Sequence, residues 1–151
     1  MFSVGKPPAA AARLDGTRGL FDAPYPTQLA VLPTAEGEVL VAARSLGPTS
    51  SVLTGDQATE SAVKAQKLEE FDVLHFAVHA FADPKFPERA ALVLLNDPAR
   101  GDDGLLQPRE IGRFRLNAGV VVFSACDTAL GPTLGQEGVL NIARAFLLAR
   151  P

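Results

Sequence analysis

The side chains of this sequence whose types and spacing suggest chemistry are its single cysteine and its two histidines. Cys126 is the cysteine, and His79 precedes it by 47 positions. A cysteine attacks a carbonyl carbon as its thiolate, and a neighbouring imidazole lowers the thiol pKa or takes the thiol proton. If folding brings Cys126 and His79 together, the pair would be the catalytic dyad of a cysteine hydrolase.

Hydrolysis of a peptide bond also requires hydrogen-bond donors directed at the developing oxyanion. The backbone N–H groups of Ala80 and Cys126 are the candidates, because both residues are predicted to come just past the ends of strands. Asp127, next to the cysteine, is a candidate for binding a basic substrate side chain. Simpler alternatives stay open for the two residues of the pair, since a free cysteine is often buried and inert. A lone histidine, such as His79, is often a hydrogen-bonded core residue.

Other kinds of chemistry fit these residues poorly. His75 and His79 have the spacing of metal ligands on a helix, but on a strand they would stand about 13 Å apart. One zinc ion cannot bridge that distance, so His75 is predicted to be a core residue packed on the sheet. A phosphatase loop would need an arginine shortly after the cysteine, where Pro132 and Thr133 stand. The nearby glycines lack the lysine of a phosphate-binding loop. We therefore predict neither a metal nor a cofactor.

Three apolar segments are predicted to be the strands that position the candidate pair. They are residues 73–79 (VLHFAVH), 91–95 (ALVLL) and 119–125 (GVVVFSA), which have the composition of strands buried on both faces. His79 ends the first strand, and Cys126 follows the third. The carboxyl ends of neighbouring parallel strands lie about 5 Å apart, and open α/β sheets bind their ligands at that edge.

Helices are predicted to alternate with these strands. The sequence predicts helices over residues 34–44, 59–70, 108–113 and 136–149, and short strands over residues 28–32 and 51–53. This alternation predicts an α/β domain with a largely parallel central sheet and helices on both faces. Residues 1–25, rich in Ala, Gly and Pro, are expected to be a poorly ordered lead-in to one domain over residues 26–151.

The composition favours a globular domain and argues against several classes of partner. A chain of 151 residues, 47% hydrophobic and 21% charged, suffices for one core. The net charge of −3, without a basic stripe, argues against nucleic acid and against an anionic membrane surface. A single cysteine excludes an internal disulfide, and no apolar run has the length of a signal peptide or a membrane span. A cytoplasmic location is therefore predicted.

Several motifs, in the right order, carry a resemblance to a known family. They are DVLHFAVHAF, GDDGLLQPREI, AGVVVFSACDTALG and GQEGVLNIARAFLLA. Together they resemble the CHAT domain, a bacterial caspase-like domain often joined to tetratricopeptide repeats. The upstream segments LPTAEGEVLVAARSLG and GDQATESAVKAQKLEEFDVLHF resemble its preceding helix, strand and helix. The resemblance spans the chain from about Leu32 to the C-terminus, and caspases also place their histidine about 50 residues before their cysteine.

The resemblance implies a caspase-like three-layer fold and roles for particular residues. His79 matches the family's general base and Cys126 its nucleophile, while Ser124 matches a position that lines the specificity pocket. The family usually has glycine after the catalytic histidine, where this chain has Ala80, whose N–H stays available. The family normally continues past the last helix with further strand and helix segments. We therefore expect the domain to be incomplete at Pro151.

The activity that the resemblance implies is peptide-bond hydrolysis by a Cys–His dyad, in a bacterial signalling or defence system. Its partner would be a protein or peptide substrate, with tetratricopeptide repeats as a second class of partner and with no nucleic acid or membrane. The alternative is a non-catalytic interaction or regulatory module that keeps the fold. Ala80 and the early C-terminus favour that alternative.

Overall fold

The computed structural model describes residues 1–5, 32, 34–81, 86, 89–124 and 135–150. Its strands are β1 (Phe2–Gly5), β2 (Ser51–Thr54), β3 (Val73–Ala77), β4 (His79–Phe81), β5 (Ala91–Val93), β6 (Leu105–Leu106) and β7 (Val120–Phe123). Its α-helices are α1 (Ala35–Leu46), α2 (Glu60–Lys64), α3 (Pro108–Ile111) and α4 (Gly135–Leu148). Short 3₁₀ turns cover Gly55–Gln57 and Leu68–Glu70.

The described strands form two sheets. The larger sheet has the order β2-β1-β3-β7, and all of its neighbouring strands are parallel. The smaller sheet has the order β4-β5-β6 and is antiparallel. The prediction of an α/β domain with a largely parallel central sheet is therefore confirmed.

Helices cover both faces of the parallel sheet, as the sequence predicted. Side chains alternate between the two faces of a strand, and in β3 Phe76 belongs to the main core, where its ring lies 5.2 Å from that of Phe146 in α4. Ala77, on the opposite face, packs with Ala35 and Val39 of α1. The approach of α1 is close, because a Cβ on Gly5 of β1 would lie 3.0 Å from both Ala35 O and the methyl groups of Val39.

A central strand of the sheet lies at the start of the chain, where the sequence analysis expected a poorly ordered lead-in over residues 1–25. That expectation is wrong for residues 2–5, because β1 pairs with β2 on one side and β3 on the other. Phe2 and Val4 are fully buried. Four residues are too few to show a periodic pattern, so sequence gave little signal for this strand. Residues 6–25, and residues 28–31 of the predicted first strand, lie outside the described residues.

The apolar run over residues 73–79 belongs to two strands instead of one. β3 ends at Ala77, and His79 begins β4, which pairs antiparallel with β5. The prediction that His79 ends a strand of the parallel sheet is therefore wrong, and the predicted strand at residues 91–95 likewise belongs to the antiparallel sheet. Every residue from Leu74 to His79 is buried, so hydropathy does not mark the point where the chain leaves the parallel sheet.

Two other predicted elements exist but differ in detail. The helix predicted over residues 59–70 is α2, which ends at Lys64, and the 3₁₀ turn at Leu68–Glu70 is separate from it. β7 is the predicted third strand, but Val120 and Val122 are exposed on one of its faces. The expectation that both faces of this strand are buried is wrong, because β7 is an edge strand among the described strands and pairs only with β3.

Candidate functional site

The two strands that precede the candidate residues are adjacent, as predicted, at one edge of the parallel sheet. β3 and β7 are parallel neighbours, and Phe76 lies opposite Phe123 at the carboxyl end of their shared ladder. The pairing continues one residue further, because the backbone N–H of Ser124 donates to Phe76 O over 3.0 Å. The carboxyl ends of these strands thus lie side by side, which is where open α/β sheets place their sites.

The register of this strand pair matches the spacing of the two candidate residues. Phe123 follows Phe76 by 47 positions, and Cys126 follows His79 by the same 47 positions. Each candidate therefore stands three positions beyond the last pair, Phe76 and Phe123, of the ladder that β3 and β7 share. The structure describes the His79 half of this arrangement, while Cys126 and Asp127 lie outside the described residues.

Two pairing partners hold the backbone around His79. The side chain of His79 is buried, and the residue lies opposite Val93 in the antiparallel sheet. Ala80 is half-buried and lies opposite Leu92. Because His79 follows β3 by only one residue and is itself the first residue of β4, its position is fixed by both sheets.

His75 lies in a polar cluster on the face of the sheet that α1 covers. Its Nδ1 is 3.3 Å from Ser3 Oγ of β1, and its Nε2 is 2.9 Å from Ser124 Oγ and 3.1 Å from Glu38 Oε1 of α1. The Ser124 hydroxyl also hydrogen-bonds to Glu38 Oε1. We call these four residues the His75 cluster. They join β1, β3, α1 and the residue that follows β7.

One assignment of hydrogens is consistent with all the contacts observed in the His75 cluster. The Glu38 carboxylate can only accept, so Ser124 Oγ–H donates to it. With a neutral imidazole, the Nε2–H of His75 donates to Ser124 Oγ and Glu38 Oε1, and Ser3 Oγ–H donates to Nδ1. The cluster thus contains a complete chain of donors and acceptors around a buried ring.

The sequence analysis placed His75 in the core correctly but missed its polar partners. His75 is buried, and Val122 lies opposite it in β7. Residues two apart on a strand face the same side, so Ser124 is the diagonal neighbour of His75 on that face. The register alone would have suggested this contact, whereas the part played by Glu38 required the position of α1. The prediction that Ser124 lines a specificity pocket is not tested by these contacts and stays a prediction.

A second polar cluster lies around Lys64 and contains none of the predicted site residues. Its Nζ is 2.7 Å from Glu60 Oε1, 2.8 Å from Asp102 Oδ1 and 2.8 Å from Glu110 Oε1. These contacts join α2, the turn before β6 and α3. We call the four residues the Lys64 cluster.

Burial shifts the ionisation of the Lys64 cluster. Burial raises the pKa of Glu60 above its usual 4.5 and the nearby charge of Glu110 raises it further, which together outweigh the hydrogen bonds from Lys64 and the Gly104 N–H. Burial lowers the pKa of Lys64, but its hydrogen bonds to the three carboxylates outweigh that effect and raise the pKa above its usual 10.5. One ammonium shared among three carboxylates therefore stays charged but compensates Glu60 incompletely.

Gly104 explains how a backbone N–H reaches the buried Glu60 carboxylate. The N–H donates to Glu60 Oε2 over 2.7 Å. Gly104 has φ +85°, and a Cβ there would lie 2.8 Å from Leu94 O. Only glycine tolerates both conditions without strain.

The described part of the chain holds neither a cluster of metal-ligating side chains nor a helix suited to a membrane. There, no three side chains of the His, Cys, Asp or Glu type come together as a metal site would require. His75 and His79, the pair with metal-like spacing, belong to different sheets. No described helix is both long and apolar enough to cross a membrane.

The parallel sheet has a buried histidine just past β3, and in the sequence a cysteine follows soon after the neighbouring strand β7. This combination defines the class of the protein as an α/β domain with a candidate Cys–His site. The family model of the CHAT domain matches residues 12–149. The chain therefore belongs to the CHAT domain family, which is related to the caspase-like peptidases. No curated protein and no solved structure matches the chain. The motif resemblance starts at about Leu32, whereas the match to the family model starts 20 residues earlier, at residue 12.

Proposed function

We propose that this domain is a cysteine endopeptidase in which Cys126 is the nucleophile and His79 is the general base. The observation that carries the proposal is the register of β3 and β7, whose offset of 47 positions equals the separation of the two residues. Both residues follow the last pair of the shared ladder, Phe76 and Phe123, by three positions, and His79 begins β4 two positions after β3 ends. We propose that the segment after β7 brings Cys126 to His79 there. Membership of the CHAT family supports the same pairing.

The proposed reaction uses groups that the chain supplies at this edge. His79 takes the thiol proton of Cys126, and the thiolate attacks the carbonyl carbon of the scissile peptide bond. The backbone N–H groups of Ala80 and Cys126 donate to the oxyanion of the tetrahedral intermediate. His79 then gives its proton to the leaving amine, which leaves a thioester. Water, deprotonated by His79, hydrolyses the thioester and restores the thiol.

The substrate and the setting follow from the same proposal. The substrate is a protein or peptide, and Ser124 and Asp127 are the side chains proposed to contact it beside the scissile bond. The caspase-like character of the fold, a cytoplasmic location, a bacterial signalling or defence role and an association with tetratricopeptide repeats are part of this proposal. They rest on the family resemblance and on the composition.

A peptide-library assay tests the proposed activity. The protein is incubated with a diverse peptide library, and new peptide ends are identified by mass spectrometry. We expect cleavage by the wild type and by the control Ser45→Ala, whose hydroxyl donates to Val41 O on an exposed helix face. We expect no cleavage by Cys126→Ala, and a loss of about 10²-fold or more in kcat for His79→Gln. No cleavage by the wild type, or undiminished cleavage by Cys126→Ala, would contradict the proposal.

An interaction module is the second candidate function, and one observation favours it. Val120 and Val122 are exposed on β7, which pairs only with β3 among the described strands. Exposed apolar side chains on an edge strand are suited to pairing with another chain. If the domain acts only by binding, Cys126→Ala retains every cellular effect of the wild type. A loss of the effect with partner binding intact would favour the peptidase.

A further inference from the structure

We propose that Glu38, His75 and Ser3 are positioning residues that hold Ser124 and thereby fix the start of the segment that carries Cys126. This inference rests on the proposed function, because it gives the His75 cluster a part in presenting the nucleophile. It concerns residues that do not touch the substrate in the proposed mechanism. Their effect is exerted through Ser124.

Ser124 is held by three separate contacts. Its backbone N–H donates to Phe76 O, and its hydroxyl bonds both to His75 Nε2 and to Glu38 Oε1. Cys126 follows two residues later, so at most about 7 Å of chain separates the two Cα atoms. A residue fixed at this point limits where the cysteine can lie relative to β3 and to His79.

The energetics of Glu38 favour a positioning role over a stabilising one. Its side chain is 44% exposed, so water would solvate the carboxylate well if it did not contact the sheet. Polar pairs with an exposed partner contribute little to stability, and ordering a glutamate side chain costs conformational entropy. The larger consequence of the contact is geometric, because it joins α1 to the residue that leads into the nucleophile segment.

The ring of His75 connects Ser124 to the central strands β1 and β3 of the sheet. Ser3 Oγ bonds to Nδ1 from β1 on one side, and Ser124 and Glu38 bond to Nε2 on the other side. A ring held at both nitrogens has a fixed orientation. The hydroxyl of Ser124 therefore meets a rigid partner in β3 as well as a partner in α1.

The single cysteine makes a direct test possible, because a thiol reagent reports on Cys126 alone. The rate of alkylation by iodoacetamide is measured against pH for the wild type, Glu38→Gln and Ser124→Ala. His79→Gln is the variant that removes the proposed base. Glu36→Gln is the matched control, because Glu36 lies on the same helix, is exposed and loses the same charge.

The direction of the change separates positioning from simple electrostatics. Removing the negative charge of Glu38 would, by charge alone, favour the thiolate and lower the midpoint of the alkylation profile. Loss of the ordered contact with His79 would raise the midpoint toward the value of about 8.5 for a free cysteine. Ser124→Ala changes no charge, so under the positioning role both variants raise the midpoint.

We expect the wild type and Glu36→Gln to share a midpoint well below that of a free cysteine. Glu38→Gln and Ser124→Ala should each raise it by about one pH unit, which lowers the alkylation rate roughly tenfold at pH values well below both midpoints. Their thermal midpoints should stay within about 4 °C of the wild type.

Each remaining outcome has a distinct meaning. In one outcome, the wild-type midpoint lies below that of a free cysteine and rises in His79→Gln, but does not change in Glu38→Gln or Ser124→Ala. That outcome would overturn the positioning role and leave the dyad intact. A lowered midpoint for Glu38→Gln would also overturn it, because charge alone then accounts for the effect. A wild-type midpoint equal to that of a free cysteine, with no response to His79→Gln, would overturn the dyad and with it the positioning role.

Discussion

The Lys64 cluster and the His75 cluster each join three or more elements through a central nitrogen-bearing side chain, yet they differ in charge. In the Lys64 cluster an ammonium meets three carboxylates, one of which, Glu60, is only 1% exposed. In the His75 cluster a buried imidazole meets two hydroxyls and a single, partly exposed carboxylate. The first cluster contains a buried ionic contact, whereas the carboxylate of the second, Glu38, is 44% exposed to water.

The difference in charge between the two clusters indicates which of them contributes more to the stability of the domain. Removing the centre of a buried ionic cluster leaves charges without compensation and costs much stability. Removing one hydroxyl from the His75 cluster leaves at most one buried group, the imidazole nitrogen that it contacted, without a partner. We therefore infer that the Lys64 cluster serves the stability of the domain. The His75 cluster, at the edge where β3 and β7 end, serves the geometry of the candidate site.

Replacing Lys64 should have the largest effect on stability. Lys64→Met leaves the buried Glu60 carboxylate without its cation. Because the Lys64 side chain is 28% exposed, we expect a loss of about 3 kcal/mol in the free energy of unfolding, near the lower end for broken buried pairs. Urea denaturation measures it. The matched control is Lys67→Met, whose pair with Glu70 is largely exposed at 3.4 Å and should cost less than about 1 kcal/mol. Equal losses in the two variants would contradict the contrast between the clusters.

Replacing Ser3 should have an intermediate effect. Ser3→Ala removes the hydroxyl that donates to Nδ1 of His75, in a position that is fully buried. A buried nitrogen left without a partner costs about 1–3 kcal/mol, and for this single neutral contact at 3.3 Å we expect a loss of about 1 kcal/mol, at the lower end of that range. The control Ser45→Ala removes an exposed hydroxyl bond to Val41 O and should be close to neutral. A loss for Ser3→Ala as large as that for Lys64→Met would show that the two clusters do not differ as argued.

The smallest effect should be the pH dependence that Glu60 contributes. Its pKa is raised in the folded domain, so its contribution to stability is fully present below 4.5 and is lost as the pH rises through the folded value. Lys64, whose pKa is raised above 10.5, keeps its charge throughout this range. The free energy of unfolding of the wild type should therefore rise relative to that of Glu60→Gln as the pH falls from 8 to 4. Chemical denaturation at several pH values measures this, and a constant difference would contradict it.

Much of the fold could be predicted from local signals in the sequence. The helix starting near Thr34, the short helix at Pro108 and the last helix all lie within a few residues of their predicted bounds. β1 was not predicted because its four residues gain their place only from pairing with distant strands. The division at Val78 was not predicted either, since the residues on both sides of it are equally buried.

The candidate site was predictable in its reactive residues and not in its supporting ones. His79 and Cys126 were chosen by residue type, by their place near predicted strand ends and by family resemblance. The apolar sequence around His75 gave no sign that its ring contacts Ser3, Ser124 and Glu38. Those contacts depend on strand order and on the position of α1, which are tertiary features that local patterns do not encode.

The central claim is that Cys126 and His79 meet across the edge of the sheet, and a designed cross-link tests it most directly. A disulfide requires a Cα separation of 4.4–6.8 Å, which a catalytic contact between the two side chains would bring within reach. Asp72→Cys is the control, because it is exposed just before β3 and stands about 20 Å along the strand direction from the position of His79.

Non-reducing mass spectrometry after mild oxidation of dilute, folded protein measures the cross-link. The account predicts that His79→Cys forms an intramolecular disulfide with Cys126 and that Asp72→Cys keeps its two thiols open to alkylation. Folded His79→Cys protein that keeps both thiols free under the same conditions would contradict the account.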